Sequence, residues 1–213
     1  MGGCLMLSAA TASCRMRIPV EREPKLASDL VELTDLDASL VLDIRYASAN
    51  NFVGFPVYQQ ARAFLQRPAA EALVRVQKKL AEQGLGLVIF DGYRPWSVTR
   101  LFWQVTPVAK RNYVADPSKG SRHNRGCAVD CALMDLQTGR MLPFPSEYDD
   151  FSEKAHLDYQ GSELTEQQIA NRSRLLAVMQ AEGFQAYPYE WWHFDYQDWQ
   201  AYPLLDTPFE KLD

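Results

Sequence analysis

The sequence predicts an α+β fold: a small, mostly antiparallel sheet flanked by helices. Two observations lead there. Short apolar and β-branched runs mix with separated amphipathic helical stretches, without a regular strand–helix repeat. The chain has 213 residues, 47% hydrophobic and 12% aromatic, enough for one core. Residues 17–213 are therefore expected to form a single domain, preceded by an extension or weak signal over 1–16.

The N-terminal stretch is ambiguous. Leu5 to Ser13 has the short apolar core of a signal peptide, but no Lys or Arg precedes it. Cys14 after Thr11-Ala12-Ser13 is a poor match to a lipoprotein site. The four cysteines, two of them in one strand with odd spacing, do not look like a disulfide framework. The expected compartment is the cytoplasm, with the periplasm as the alternative. The net charge of −5 argues against nucleic acid or an anionic membrane as partner. No run approaches the length of a transmembrane helix.

The elements follow in order. Leu40 to Tyr46 reads as a strand, and Asn50 to Gly54 as a loop. Pro68 to Leu85 reads as a helix, with Ala69, Leu73, Val76 and Leu80 at helical spacing and Gly84 at its stop. Gly86 to Phe90 is a short apolar strand. It runs into the turn Asp91-Gly92-Tyr93-Arg94-Pro95, then a helix carrying Val98, Leu101, Phe102 and Val105. Arg94, at the mouth of this unit, is placed either to meet an anion or to form a surface salt bridge.

Gly126 to Leu133 reads as a strand of small apolar residues around Val129. Asp130 shares a face with Ala128 and Ala132, and is costly there unless paired or metal-bound. Cys127 and Cys131 face the other way and read as core residues. Gln137 to Gly161 is long for a plain loop and holds Glu147 to Phe151 and His156. Its acids either bind a substrate ammonium or are solvated. Thr165-Glu166-Gln167-Gln168 is a capping-box signature opening a helix with Ile169, Leu176 and Met179 as its buried stripe and Gly183 at its end. Glu190 to Tyr196 reads as a closing strand, and the tail from Gln197 wraps the surface.

Two of the three histidines lie beside or in these strands. We read His123, Asp130 and His193 as three ligands of one catalytic zinc, which keeps a fourth position for water. Glu190 is the base beside it. Glu190 and His193 have opposite parity on a strand, so both reach the metal only if Glu190 precedes the regular strand or sits at a bulge. Tyr187-Pro188-Tyr189 is expected to supply such an irregular lead-in. A rival ligand set is His123, His156 and His193.

These residues carry a resemblance to the D-alanyl-D-alanine dipeptidases of the VanX type, zinc enzymes grouped with D-Ala-D-Ala carboxypeptidases and the hedgehog-like zinc fold. The pattern Ser-x-His-x-x-Gly-x-Ala-x-Asp is met at Ser121, His123, Gly126, Ala128 and Asp130. Glu-x-x-His, with its double tryptophan, is met at Glu190 and His193, and Tyr-Arg-Pro at Tyr93 to Pro95. The segments Asp43 to Ala47 and Asn51 to Gly54 match the dipeptidase branch, as do Tyr148, Asp149, Phe151 and His156. Cys127 departs from the usual small residue, and nothing before about Arg17 has a counterpart.

The resemblance implies one zinc per chain, held by His123, Asp130 and His193, with Glu190 as general base. It implies that Arg94 stabilises the transition state and that Asp149, with Ser121, holds the dipeptide's free ammonium. The implied reaction is hydrolysis of D-Ala-D-Ala to two D-alanines. Tyr46, Phe52 and Trp192 are candidate walls for the substrate methyl groups. The alternatives are a D,D-carboxypeptidase acting on peptidoglycan stem peptides and a non-catalytic zinc-binding module. Asp149 discriminates against the first, Glu190 and Arg94 against the second.

Overall fold

The computed structural model describes residues 16–23 and 25–212. The signal-like run, Cys4 and Cys14 lie outside the described residues. The strands are β1 (Leu30–Glu32), β2 (Val41–Leu42), β3 (Phe64–Gln66), β4 (Leu85–Asp91), β5 (Ala128–Asp135), β6 (Arg140–Met141), β7 (Phe184–Tyr187) and β8 (Glu190–Tyr196). The α-helices are α1 (Leu33–Leu36), α2 (Arg67–Ala81), α3 (Trp96–Val105) and α4 (Glu166–Gln180). The main sheet has the order β2-β4-β5-β8-β7, with β6 paired to β5. Among the described residues, only the β2–β4 pair of this sheet is parallel. The α+β, mostly antiparallel architecture is as expected.

β4 and β5 form the centre, and both are buried along nearly their whole length. α2 starts with a proline in its first turn and buries Ala69, Leu73, Val76 and Leu80. α4 opens with the expected capping box between Thr165 and Gln168. Its buried face differs from the expected stripe: Asn171, Arg172, Leu175 and Met179 face inward, while Ile169 and Leu176 are half-buried. Asn171 is tolerated there because its side-chain amide donates to the Pro143 carbonyl at 2.9 Å. Among the described residues, no helix is long and apolar enough to cross a membrane.

The strand expected over Leu40–Tyr46 is cut short. Only Val41 and Leu42 pair in the sheet, and Arg45–Ala47 turns into a 3-10 helix. The Tyr46 carbonyl instead accepts from the backbone N–H groups of Val57 and Tyr58, at 2.7 and 2.9 Å. A returning loop thus replaces the sheet neighbour and frees the Tyr46 ring to point toward the site. The long stretch 137–161 contains β6 and a 3-10 turn, Glu153–Ala155. The short strands β1, β3 and β7 had no period long enough to announce them.

Candidate active site

Register brings the strands' polar residues together. Asp130 on β5 lies directly opposite His193 on β8. On the other side of β5, the β4 pairing slips between Ile89 and Asp91, which sets Asp91 opposite Asp130. The β7–β8 pairing jumps from Ala186↔Phe194 to Tyr187↔Glu190. That irregularity is the bulge required by parity: the Glu190 carboxylate comes within 3.7 Å of His193 Nδ1.

His123 sits in a 3-10 turn, His123–Arg125, ended by Gly126 at φ 67°. The left-handed φ favours glycine, and a Cβ there would also crowd the Leu30 side chain and come within 3.3 Å of the Gln66 backbone nitrogen. Asn124 locks the turn to the Arg94 loop. Its amide donates to the Arg94 carbonyl and to Thr99 Oγ1, both at 2.8 Å, and its oxygen accepts from the Ser121 N–H at 2.8 Å. Ser121 is buried at the cleft, and its Oγ accepts from the His123 N–H at 3.2 Å.

Hydrogen bonds at the ring backs orient both imidazoles. The Gly92 carbonyl can only accept, so His123 Nδ1, 2.7 Å away, carries the hydrogen and Nε2 faces inward. His193 Nε2 meets Asp195 Oδ1 at 2.9 Å, which turns Nδ1 inward. The inward atoms converge: His123 Nε2 to His193 Nδ1 is 3.1 Å, and Asp130 Oδ1 is 3.3 and 3.0 Å from them. Three lone-pair donors so close, all buried, suit a cation at their centre. The donor set therefore fits a metal ion. Among the described residues it is the group of His, Cys, Asp or Glu side chains able to hold one. His156 is elsewhere, packed edge-on against Tyr189 at 5.1 Å, so the three-histidine set is not assembled.

Asp130 Oδ2 turns outward and accepts from the Tyr148 hydroxyl at 2.9 Å. Burial works to raise the Asp130 pKa, but His123 and His193 hold it well below the usual carboxylate range. Arg94 is buried, not a surface residue. Asp91 grips it through Nε at 2.9 Å and Nη2 at 2.7 Å, and Tyr46 and Phe102 present ring faces to it at 5.3 and 4.9 Å. Burial disfavours its charge, but Asp91 and the surrounding Tyr46, Tyr58 and Tyr148 together outweigh it, and the guanidinium stays cationic. Asp91 is itself steadied by the Tyr58 hydroxyl at 3.0 Å.

Glu190 lines the same cleft. Burial pushes its pKa up to about 7, with His193 opposing and Asp130 adding to the shift. A bound dication would pull it back down. Asp149 holds a backbone φ of 61°, uncommon for a residue with a Cβ. Its Oδ1 accepts from the Tyr46 hydroxyl at 3.0 Å, while Oδ2 is shielded from solvent and has no partner among the described residues. Burial, then the charge of Asp130, raises its pKa well above the ordinary value. The cleft measures about 300 Å³, small for a ligand site, and Tyr46, Phe52 and Trp192 all line it.

Sequence reasoning missed Asp91 and Asp195. Asp195 lies two positions beyond His193, on the same face of a strand, and that period was the available signal. Asp91 had no such signal, because a bulge brings it to Asp130.

Comparison with known proteins fits this geometry. The profile of the D-ala-D-ala dipeptidase family matches residues 26–211. The chain is 37% identical to the D-alanyl-D-alanine dipeptidase of Escherichia coli (strain K12) over 185 residues, 85% of this chain and 93% of that one. It is 36% identical to the Enterococcus faecium D-alanyl-D-alanine dipeptidase, over 76% of this chain and 87% of the relative. A third such dipeptidase, from Enterococcus faecalis (strain ATCC 700802 / V583), is 33% identical over 78% of this chain and 87% of its own length. With a family profile spanning nearly all the described residues and relatives matched over most of their length, the chain belongs to the D-ala-D-ala dipeptidase family of metallopeptidases.

Proposed function

We propose that the protein hydrolyses the free dipeptide D-Ala-D-Ala to two D-alanines, with one zinc ion held by His123, Asp130 and His193. The observation that carries the dipeptide reading is Asp149 Oδ2, shielded and unpartnered in a cleft of about 300 Å³ that also holds the three converging donors. A substrate ammonium satisfies that oxygen. An acylated amine does not, and would leave the carboxylate desolvated and unpaired. The names of the relatives agree.

His123, Asp130 and His193 would hold the zinc ion, which would supply Lewis acidity and lower the pKa of water toward neutrality. The chain's own groups do the rest. Glu190 takes the proton of the attacking water and delivers it to the leaving amine. Arg94, fixed by Asp91, donates to the oxygen that becomes anionic as the carbonyl carbon turns tetrahedral. Asp149, steadied by the Tyr46 hydroxyl, holds the ammonium, and we assign Ser121 to the same end of the substrate. Phe52, Tyr46 and Trp192 give the methyl groups an apolar wall. The single-domain reading of residues 17–213 belongs to this proposal, supported by the extent of the family match.

The test is release of D-alanine from D-Ala-D-Ala by the zinc-loaded protein, with N-acetyl-D-Ala-D-Ala alongside and Glu190→Ala as control. Cleavage of the free dipeptide alone, lost in the variant, is expected. Cleavage of the acetylated peptide would make the protein a D,D-carboxypeptidase and remove the role of Asp149. Zinc binding without cleavage of either would leave a zinc-binding module.

A further inference from the structure

His193 Nε2, at the back of the ring, faces a carboxylate. Asp195 Oδ1 lies 2.9 Å from it, and Asp195 is buried, two positions along the same face of β8. The other carboxylate oxygen of Asp195 meets Arg122 Nε at 3.4 Å. The Arg122 guanidinium is in turn laid over the Trp199 ring, 4.7 Å from its centroid. Arg122 immediately precedes His123 in the chain. None of these three side chains takes part in the reaction described above.

We infer that Asp195 is a positioning residue: clamped by Arg122, it locks the His193 ring in the orientation and tautomer that present Nδ1 to the metal. The inference rests on the metal-centre reading above. A neutral imidazole carries its hydrogen on one nitrogen or the other, and only the bare nitrogen is a ligand. An ionised carboxylate accepts and cannot donate, so a carboxylate at Nε2 leaves Nδ1 bare. It also makes the ring a stronger donor to the metal. His123 is held in the opposite sense, with Nδ1 tied back by the neutral Gly92 carbonyl. The two histidines thus present different nitrogens, each chosen by what stands behind the ring. Arg122 adds a mechanical link, because the turn that carries His123 grips the carboxylate that aims His193. The competing account makes Asp195 only an ion-pair partner that fastens the Arg122 turn to β8.

The experiment compares the unmodified protein with Asp195→Ala, Asp195→Asn and Arg122→Gln. Zinc affinity is read by competition with a chelator. The imidazole N–H resonances are read in the cobalt-substituted proteins, where the metal shifts ligand-ring protons clear of the envelope. Asp195→Ala is expected to weaken zinc binding about 10–100-fold and to broaden or abolish the His193 Nε2–H resonance, while the His123 Nδ1–H resonance persists. Asp195→Asn, whose amide oxygen still accepts, falls between the two. Arg122→Gln weakens binding least, in the same direction. Unchanged zinc affinity and an unchanged His193 resonance in Asp195→Ala, with only a lower melting temperature, would overturn the inference. Should that variant fail to fold, the same two results in Asp195→Asn would overturn it equally. Zinc binding undiminished in both His123→Ala and His193→Ala would sink the metal-centre reading, and this inference with it.

Discussion

At one end of the cleft, His123, Asp130 and His193 each tie one polar atom to a protein partner: the Gly92 carbonyl, the Tyr148 hydroxyl and the Asp195 carboxylate. Their remaining donors point at a common centre. At the other end, Asp149 ties one oxygen to Tyr46 and leaves the other with no partner, on a backbone in the left-handed region. The first end is braced from behind and converges on a point; the second leaves one oxygen bare at the edge of the cleft. The difference teaches where stability and function conflict. Donors braced from behind hold their orientation before anything binds, whereas an orphan carboxylate opposes folding and, under the proposed function, is kept for what it recognises.

Breaking the converging end should have the largest effect. Asp130→Ala removes the one carboxylate of the set, and both zinc content and D-alanine release should fall to background, as metal analysis and product assay on the same sample would report. Glu190→Gln should separate chemistry from metal binding. Zinc content should stay at that of the unmodified protein, while kcat drops about 10²–10⁴-fold. A variant that loses both would mean that Glu190 is a ligand rather than a base.

The incomplete end sharpens the comparison because activity and stability should move in opposite directions. Asp149→Asn should lower kcat/KM for D-Ala-D-Ala about 10–100-fold, on the order of 1.5–3 kcal/mol for a lost bond to a charged group. It should also narrow discrimination against the N-acetylated dipeptide. The same variant should be the more stable protein when metal-free. The Asp149 carboxyl has a folded pKa raised above its unfolded value, so the folded state binds more protons between those two values. Stability conferred by the protonated acid is therefore lost as pH rises from the ordinary carboxylate range through the raised folded value. The melting-temperature advantage of Asp149→Asn should grow across that window and be absent below it. An advantage independent of pH would mean that Asp149 is not strained by its charge. Tyr46→Phe removes one neutral hydroxyl and should have the smallest effect, about 2–10-fold in kcat/KM for the free dipeptide.

Much of the site was legible because its residue types are costly where they stand. An aspartate between Ala128 and Ala132 on an apolar strand demanded a partner, and with so few histidines in the chain the partner set was small. The helices were legible from period and caps, as Pro68 and the Thr165–Gln168 box show. The strand ends were not. Tyr46 looked like the last residue of a strand, and a returning loop made it the partner of Asp149. Ile169 and Leu176 looked like a buried stripe, and Asn171 took that place through one bond to Pro143.

The sequence by itself determined the class of fold and which residues were candidates for metal donor and base, because these depend on chemistry and on periodicities that every residue carries locally. Only the tertiary structure decided how they meet. The β5–β8 register sets Asp130 beside His193, the slip in β4 delivers Asp91 to hold Arg94, and the bulge in β8 turns Glu190 toward His193 against strand parity. A register or a bulge belongs to a pair of strands rather than to either one, so no single segment of sequence contains it.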